Sequence, residues 1–363
     1  MLIPFNQTTD RLTAYLAGKR GIQTNKDIVQ EGLQYWLCSK ERQDMLKAQE
    51  YYRVHNDILD TPREIIGEDG KPEPGKNIAD NRIAHAFFRE LVDQKVQYLL
   101  GRPFSIASDE KKYAESEEET DSDPYADELI EKLGRDFPET LMQLGTDAVV
   151  DGIAWGHIYV ENGELRLHRV NPAEVWPFWR DVAHTELDML VRSFTIETAR
   201  KQGIERVRKV EIYVPGEATE YYELRGDNTL VLDPDIDVSK AAGLVVAGEP
   251  YDWERIPFVA FKYNSTELSL LNVIKGLIDE YDRAVSTDSN TLEDQPNSVL
   301  VLRNYDGTEL GEFRKNLNAY RAVKVSDDGG VESLGIPVDV TATNLHLERL
   351  RRDIYAFGRG VDM

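Results

Sequence analysis

The chain has 363 residues, 41% of them hydrophobic, with five Trp and seventeen Tyr, enough to bury a sizeable core and to form more than one compact unit. Sixty-six acidic residues against forty-three basic ones leave a formal charge of -23, which repels a phosphate backbone and excludes tight DNA binding through a broad basic surface. The single cysteine, Cys38, excludes an internal disulfide, Met1 to Arg20 is too polar for a secretory signal, and the apolar runs fall short of the roughly 20 residues that span a bilayer, so a soluble protein of a reducing cytoplasm is expected.

Between Asn25 and Tyr52 the apolar residues Ile28, Leu33, Trp36, Leu37, Met45, Leu46 and Tyr52 fall near helical spacing, which predicts two short helices or one broken helix. Ile65 to Asn77 holds Gly67, Gly70, Pro72, Pro74 and Gly75 and reads as a hairpin tip. Asp80 is then expected to cap a helix carrying Ile83, Phe87, Leu91, Val92, Val96 and Leu99, stopped by Gly101 and Pro103. Ten of the twenty residues from Asp109 to Glu128 are acidic, the pattern of a solvated loop.

A helix over about Glu139 to Val150 leads into strands. Asn162-Gly163 between Tyr159-Val160 and Leu165 is the strongest short hairpin signal in the chain. Further strands are expected at Leu190 to Ile196, Lys209 to Val214, Glu220 to Leu224, Thr229 to Leu232, Leu244 to Ala247 and Pro257 to Tyr263, together forming an antiparallel, partly meandering sheet. Helical periodicity returns from Ser269 to Asp294, with Leu270, Ile274, Leu277, Ile278, Tyr281 and Val285 on one stripe and Asp279, Glu280, Asp282 and Arg283 off it. A strand at Ser298 to Arg303, a short helix at Glu309 to Ala319 and a hairpin of Tyr320 to Val325 with Val331 to Leu334 follow. A last helix from Thr341 places Leu347, Leu350, Ile354 and Phe357 at 3-4-3 spacing.

Catalytic and ligand motifs are weak. Gly70-Lys71-Pro72-Glu73-Pro74-Gly75-Lys76-Asn77 matches the spacing of a phosphate-binding loop, but Asn77 stands where Ser or Thr would hold magnesium and two prolines remove N–H donors. The histidines His55, His85, His157, His168, His184 and His346 show no paired ligand spacing; His157 and His168 are expected to face each other across the Asn-Gly hairpin as ordinary sheet packing. Asp147 and Asp151 are helix-spaced and read as a solvated pair. Trp176, Pro177, Phe178 and Trp179 read as core or interface packing. No catalytic, cofactor or metal residue is assigned.

Four stretches resemble the portal proteins of long-tailed phages that infect Gram-positive bacteria. They are Tyr51-Tyr52 with Asn56-Asp57-Ile58; Asn81-Arg82-Ile83-Ala84-His85-Ala86-Phe87-Phe88 running to Leu91-Val92-Asp93-Gln94-Lys95-Val96 and Tyr98-Leu99-Leu100-Gly101-Arg102-Pro103; Asp279 and Tyr281-Asp282 with Ser286, Asn290, Leu292 and Glu293-Asp294; and Ile354-Tyr355 with Phe357-Gly358-Arg359-Gly360-Val361-Asp362.

The resemblance implies an α+β fold: a mixed helix and antiparallel-sheet wing over residues 1–263 (helical over 1–150, β-rich over 151–263), a first stem helix over 264–297, a small α/β clip over 298–337 and a second stem helix over 338–363. The chain would stop before the family's tunnel loop, spine helix and crown. It further implies a non-enzymatic ring of about a dozen copies at the capsid vertex of the virion, assembled in the host cytoplasm. DNA would pass through with weak, non-specific contact. The expected partners are the terminase large subunit, head-completion or adaptor proteins, and the major capsid and scaffolding proteins, with no membrane and no cofactor. Asp306, Glu309, Arg314 and Lys315 would lie in the partner-docking clip; Leu270, Ile274, Leu277, Tyr281, Leu347, Leu350, Ile354 and Phe357 would pack the stem. Arg349, Arg351, Arg352 and Arg359 would line the channel or bridge subunits. A metal-dependent phage enzyme acting on nucleic acid, or a structural adaptor that forms no ring, are the competing readings.

Overall fold

The computed structural model describes residues 24–66, 71–74, 78–102, 106, 124–134, 136–161, 164–200, 203–236, 245–246, 249–250, 253–293, 298–303, 330–335 and 340–362. In chain order, helices α1 (Asn25–Leu37), α2 (Lys40–Tyr52) and α3 (Asp57–Asp60) precede a short hairpin of β1 (Glu64–Ile66) and β2 (Pro72–Pro74). Helices α4 (Phe87–Leu100), α5 (Pro124–Leu133) and α6 (Phe137–Asp151) lead into β3 (Ile153–Glu161), β4 (Glu164–Val170), β5 (Val175–Trp179), β6 (Leu187–Arg200), β7 (Gly203–Tyr213), β8 (Glu220–Leu224) and β9 (Leu230–Leu232). Two short strands, β10 (Val245–Val246) and β11 (Glu249–Pro250), then β12 (Phe258–Lys262), precede the long helix α7 (Leu271–Glu293). Strands β13 (Ser298–Arg303) and β14 (Gly330–Gly335) and helix α8 (Val340–Gly358) follow.

The chain divides into two compact units: residues 1–55, 86–275 and 355–363 form one, residues 56–85 and 276–354 the other. In the first unit α1 and α2 are separate helices because each has its own N-cap. Thr24 and Asp27 form a reciprocal capping box at α1, and the Ser39 hydroxyl accepts from Arg42 N–H at α2. Where one antiparallel sheet was expected, the strands of this unit form two larger ones, β12-β3-β4 and the meander β5-β6-β7-β8-β9, and β10 pairs apart from both with β11. The register of β3 with β4 brings Glu161 opposite Glu164, as an Asn-Gly hairpin requires.

Two sheets arise because the five-stranded one buries both faces. Along β5 and β6, Trp176, Phe178, Met189 and Val191 pack with Val210 and Ile212 of β7 against Val29, Leu33 and Trp36 of α1. The alternate residues Val175, Trp179, Leu190 and Tyr213 meet Ile153, Trp155, Val170 and Phe258 of the three-stranded sheet, with Met45 of α2. The far side of that smaller sheet carries Ala154, Leu167 and Phe261 against Leu144 and Ala148 of α6. The order is thus helix, sheet, sheet, helix, a mixed α+β arrangement built on the two-residue side-chain period of strands. The aromatic run Trp176 to Trp179 is core, as expected, and forms the strand β5, all five residues of which are buried.

In the second unit, the expected helix start at Asp80 is wrong. Residues 79–86 are not helical and α4 begins at Phe87, so Ile83 lies outside it. The partner of Val331–Leu334 is Ser298–Arg303; Tyr320–Val325, named above for that role, lies outside the described residues, as does Glu309–Ala319. The Asp282 side chain, expected off the buried stripe of α7, is 0% exposed and continues it: Ile274, Ile278, Asp282, Ser286 and Asn290 recur every four residues and all are buried.

Candidate functional site: a polar seam, a closing turn and an anchored helix entry

Halfway along α7 the buried stripe changes from apolar to polar, and each polar side chain meets a backbone amide of the extended segment Asn81–His85. Asn290 Oδ1 accepts from Asn81 N (2.5 Å), Ser286 Oγ from Ile83 N (2.9 Å) and Asp282 Oδ1 from His85 N (3.0 Å). Two extended residues advance about 6.6 Å and four helical residues about 6 Å, so alternate amides of a strand match every fourth residue of a helix, here running in opposite directions. This is where the backbone donors of residues 81, 83 and 85 go, and why the local helix-forming tendency of Arg82-Ile83-Ala84 is overridden.

Asp282 carries the most. Its Oδ1 also contacts His85 Nδ1 at 2.7 Å, and its Oδ2 accepts from Asn56 Nδ2 at 2.5 Å; the same Asn56 nitrogen donates to the His85 carbonyl at 3.1 Å. A carboxylate at Nδ1 keeps the proton on that ring nitrogen. The His85 ring stands edge-on to Tyr281, centroids 4.8 Å apart.

In the first unit, the end of α8 is closed onto α4. Tyr355 donates its hydroxyl to Glu90 (2.8 Å) and Lys95 Nζ donates to the Arg359 carbonyl (3.2 Å). The Gln94 carboxamide both donates to Val361 O and accepts from Val361 N, each at 2.9 Å. Arg359 takes a positive φ of 51°, and Gly360 N returns to Tyr355 O, a left-handed helix end. A Cβ on Gly358 or Gly360 would come within 2.6 Å or 2.1 Å of a Leu91 methyl, so the turn needs both glycines for close approach. Burial, then the Arg359 charge, lowers the Lys95 pKa.

The entry to α7 is fixed in the same unit. The open carbonyls at the end of α6 are taken by the incoming chain: Val149 O by Leu270 N, Val150 O by the Ser269 hydroxyl and Gly152 O by Tyr263 N. Gly152 has φ of 90°, and a Cβ there would lie 2.2 Å from the Glu267 carbonyl. Glu267 itself is buried, with φ of 55°, and pairs with His184 Nδ1 and with Lys262 Nζ, each at 2.8 Å. Burial pushes the Glu267 carboxyl up, but the bonds from His184 and Lys262 outweigh it and hold the group below the usual carboxylate range.

Of the residues singled out from sequence, Leu270, Ile274, Leu350 and Ile354 are buried and Leu277, Tyr281 and Leu347 half-buried. Phe357 is 60% exposed, and beyond Ile354 the buried side of α8 passes to Tyr355 and Gly358. Arg349, Arg351, Arg352 and Arg359 are exposed; Arg349 and Arg352 lie 3.8 and 3.6 Å from Asp353 on their own helix. Asp306, Glu309, Arg314 and Lys315 lie outside the described residues. His157 and His168 do face each other, ring centroids 5.2 Å apart.

Asp147 and Asp151 are not the solvated pair expected. Both are buried: Asp147 takes two bonds from Arg169, and Asp151 Oδ1 accepts from Gln49 Nε2 at 3.0 Å while its Oδ2 has no partner among the described residues. Burial raises the pKa of each, that of Asp151 well above the usual range. Among the described residues, no group of three or more His, Cys, Asp or Glu is placed to hold a metal ion, and no helix is long and apolar enough to cross a membrane.

Residues 38–363 match the family described as phage portal protein, SPP1 Gp6-like. The portal protein of Bacillus phage SPP1 is 30% identical, the match covering 88% of this chain and 60% of that protein. The portal protein of Clostridium phage phiCD119 is 28% identical, covering 88% of this chain and 69% of that protein. The chain therefore spans about three fifths of the length of the SPP1 relative. A chain from the neck of a native GTA particle is similar at 11% identity over 75% of this chain and 64% of that one, with a TM-score of 0.36. With a match that runs through α7, α8 and every residue of the seam and the closing turn, the chain belongs to the SPP1 Gp6-like family of phage portal proteins.

Proposed function

We propose that the chain is a non-enzymatic subunit of a portal ring, the conduit through which DNA enters and leaves a phage head at one capsid vertex. The observation that carries this reading is the family match over residues 38–363. The layout supports it: two amphipathic helices, α7 and α8, lie on either side of the β13–β14 pair in sequence. On this reading residues 1–263 are the wing, 264–297 and 338–363 the stem, and 298–337 the clip.

The clip, with Asp306, Glu309, Arg314 and Lys315, receives the terminase large subunit during packaging and head-completion proteins afterwards; other faces meet capsid and scaffolding proteins. A chain of net charge -23 holds passing duplex weakly and in no fixed register, which lets it slide. The exposed guanidinium groups of Arg349, Arg351 and Arg352 recur around the axis and bridge to acidic side chains of the next copy.

Solution mass with negative-stain imaging tests this. Closed rings of about a dozen copies with a central hole are expected. A species that stays monomeric at high concentration, or magnesium-dependent cleavage of nucleic acid lost on one Asp or Glu substitution, would overturn it.

A further inference from the structure

The layer between the two sheets of the first unit is apolar at its centre and ionisable along one border. The centre is Val175, Trp179, Leu190 and Tyr213 against Ile153, Trp155, Val170 and Phe258. Side chains on one face of a strand recur every two residues, so the next positions outward are His157 of β3, His168 of β4, Arg192 of β6 and Glu211 of β7. Across the meander Val175 is opposite Arg192, Arg192 opposite Glu211, and Glu211 opposite Tyr221 of β8. Glu174, just before β5, and Arg42 of α2, whose charge acts on Glu174, complete the border.

Arg192 holds both carboxylates. Its Nη1 and Nη2 lie 3.5 Å from Glu211 and Glu174, and its buried Nε has no partner among the described residues. Tyr213 donates its hydroxyl to Glu211 at 2.9 Å. His157, by contrast, is packed as an aromatic ring: stacked on Phe258 at 4.3 Å, inclined to Tyr213 at 5.6 Å and edge-on to His168 at 5.2 Å, with a buried Nδ1 that lacks a partner among the described residues. A proton added to either ring would meet the other imidazole and the Arg192 charge, which acts on both. The layer on the other face of the meander, where Trp176, Phe178 and Val191 meet Val29, Leu33 and Trp36 of α1, carries none of these groups.

We propose that this border is an acid-sensitive catch: protonation of His157 and His168 parts the three-stranded sheet from the meander while the layer between the meander and α1 stays closed. The catch lies within one subunit and does not rest on the ring. Once the sheets part, water reaches both rings and each takes up a proton near the ordinary 6.5; in the closed layer burial lowers that value for both. The open state then binds more protons, so opening is favoured as pH falls below 6.5. Glu174 and Glu211 act in the opposite sense, because burial raises their pKa and the closed layer protonates them first. That opposition stops growing near 4.5, where the open state protonates them as well, and it leaves the Arg192 charge uncompensated beside the imidazoles.

The test reads the two faces of the meander separately. In a full chain carrying Cys38→Ser, one thiol is placed between the sheets by Val175→Cys or against α1 by Val191→Cys, each a small change at a buried position. Labelling rates are divided by those of the urea-unfolded protein at the same pH, which removes the pH dependence of the thiolate. Between pH 7 and pH 4 the rate at position 175 is expected to rise at least tenfold over that at position 191. His168→Phe should make the rise shallower, and His157→Phe with His168→Phe should abolish it. Equal rises at both positions, which mean global acid unfolding, or no rise at either, would overturn the catch. A rise that survives the loss of both imidazoles overturns their role as its trigger; if the double variant does not fold, an unchanged slope in His168→Phe alone does the same.

Discussion

Asp282 accepts both the backbone N–H and the ring Nδ1 of His85, from a side chain with no exposed surface, on a helix that starts nearly two hundred residues later in the chain. Replacing it with Ala takes the acceptor from the His85 amide and from one of the two Asn56 Nδ2 hydrogens, and leaving buried donors unpaired costs about 3 kcal/mol in total. Asp282→Asn keeps one acceptor and should lose roughly half of that. Urea titration of the unfolding free energy checks both; a loss below about 0.5 kcal/mol for Asp282→Ala would mean the seam contributes no stability.

Gly360→Ala inserts a methyl where only 2.1 Å separates the ideal Cβ from Leu91 Cδ2. Overpacking of that kind costs about 1–3 kcal/mol. Leu91→Ala, at a fully buried position, costs about 2–5 kcal/mol alone. Because the second change vacates the space the first one needs, the double variant should be less destabilised than the two losses added together. Strict additivity in a thermal or urea cycle would show that the turn does not pack on Leu91.

Much of this was legible in the chain itself where local rules act alone: the break between α1 and α2, the Asn-Gly hairpin, the stop of α4 at Gly101 and the strand Ser298–Arg303. The failures share one cause, burial that comes from distant partners. Strand β5 shows no alternation because both faces are covered, and Asp282 looks like a solvent-facing residue until Asn81–His85 is laid beside it. The stretches that carried the family resemblance pair in space. Asn56 and Asn81–His85 meet Asp282–Asn290, Tyr52 meets Asp93, and Leu91, Gln94 and Lys95 meet Gly358–Val361. Residues that hold long-range polar contacts are specific in type, which made them recognisable without revealing their partners.

His157 should govern part of the acid limb of stability. Burial first, then the His168 and Arg192 charges, lowers its pKa to about 3, and its ring stacks on Phe258 at 4.3 Å with Nδ1 lacking a partner among the described residues. The unfolded chain takes up this proton near the ordinary value of 6.5, the folded chain only near 3. Between those values the unfolded state binds more protons, so stability falls as pH drops through that window and is restored above it. His157→Phe keeps the stacking and removes the proton, so its melting temperature should decline less than that of the wild type between pH 6.5 and pH 4. Parallel curves would exclude the assignment.

Asp151 predicts a slope of opposite sign. Its carboxyl is buried at the end of α6, with one oxygen bonded to Gln49 and the other unpaired among the described residues, and burial raises its pKa well above the ordinary 3.8. As pH rises past 3.8 the unfolded state loses the proton while the folded state keeps it. The folded state then binds more protons, and stability declines with rising pH until the folded group also ionises. Above that point the cost of a buried charge persists, because Arg169, whose charge acts on Asp151, is engaged by Asp147. Asp151→Asn preserves the oxygen that accepts from Gln49 and carries no charge at any pH. The variant should therefore melt a few degrees above the wild type at pH 7, with the gap closing towards pH 4. A variant less stable than the wild type at pH 7 would mean that the carboxylate is ionised and held by partners in the fold, and the reading of Asp151 as a buried neutral acid would fail.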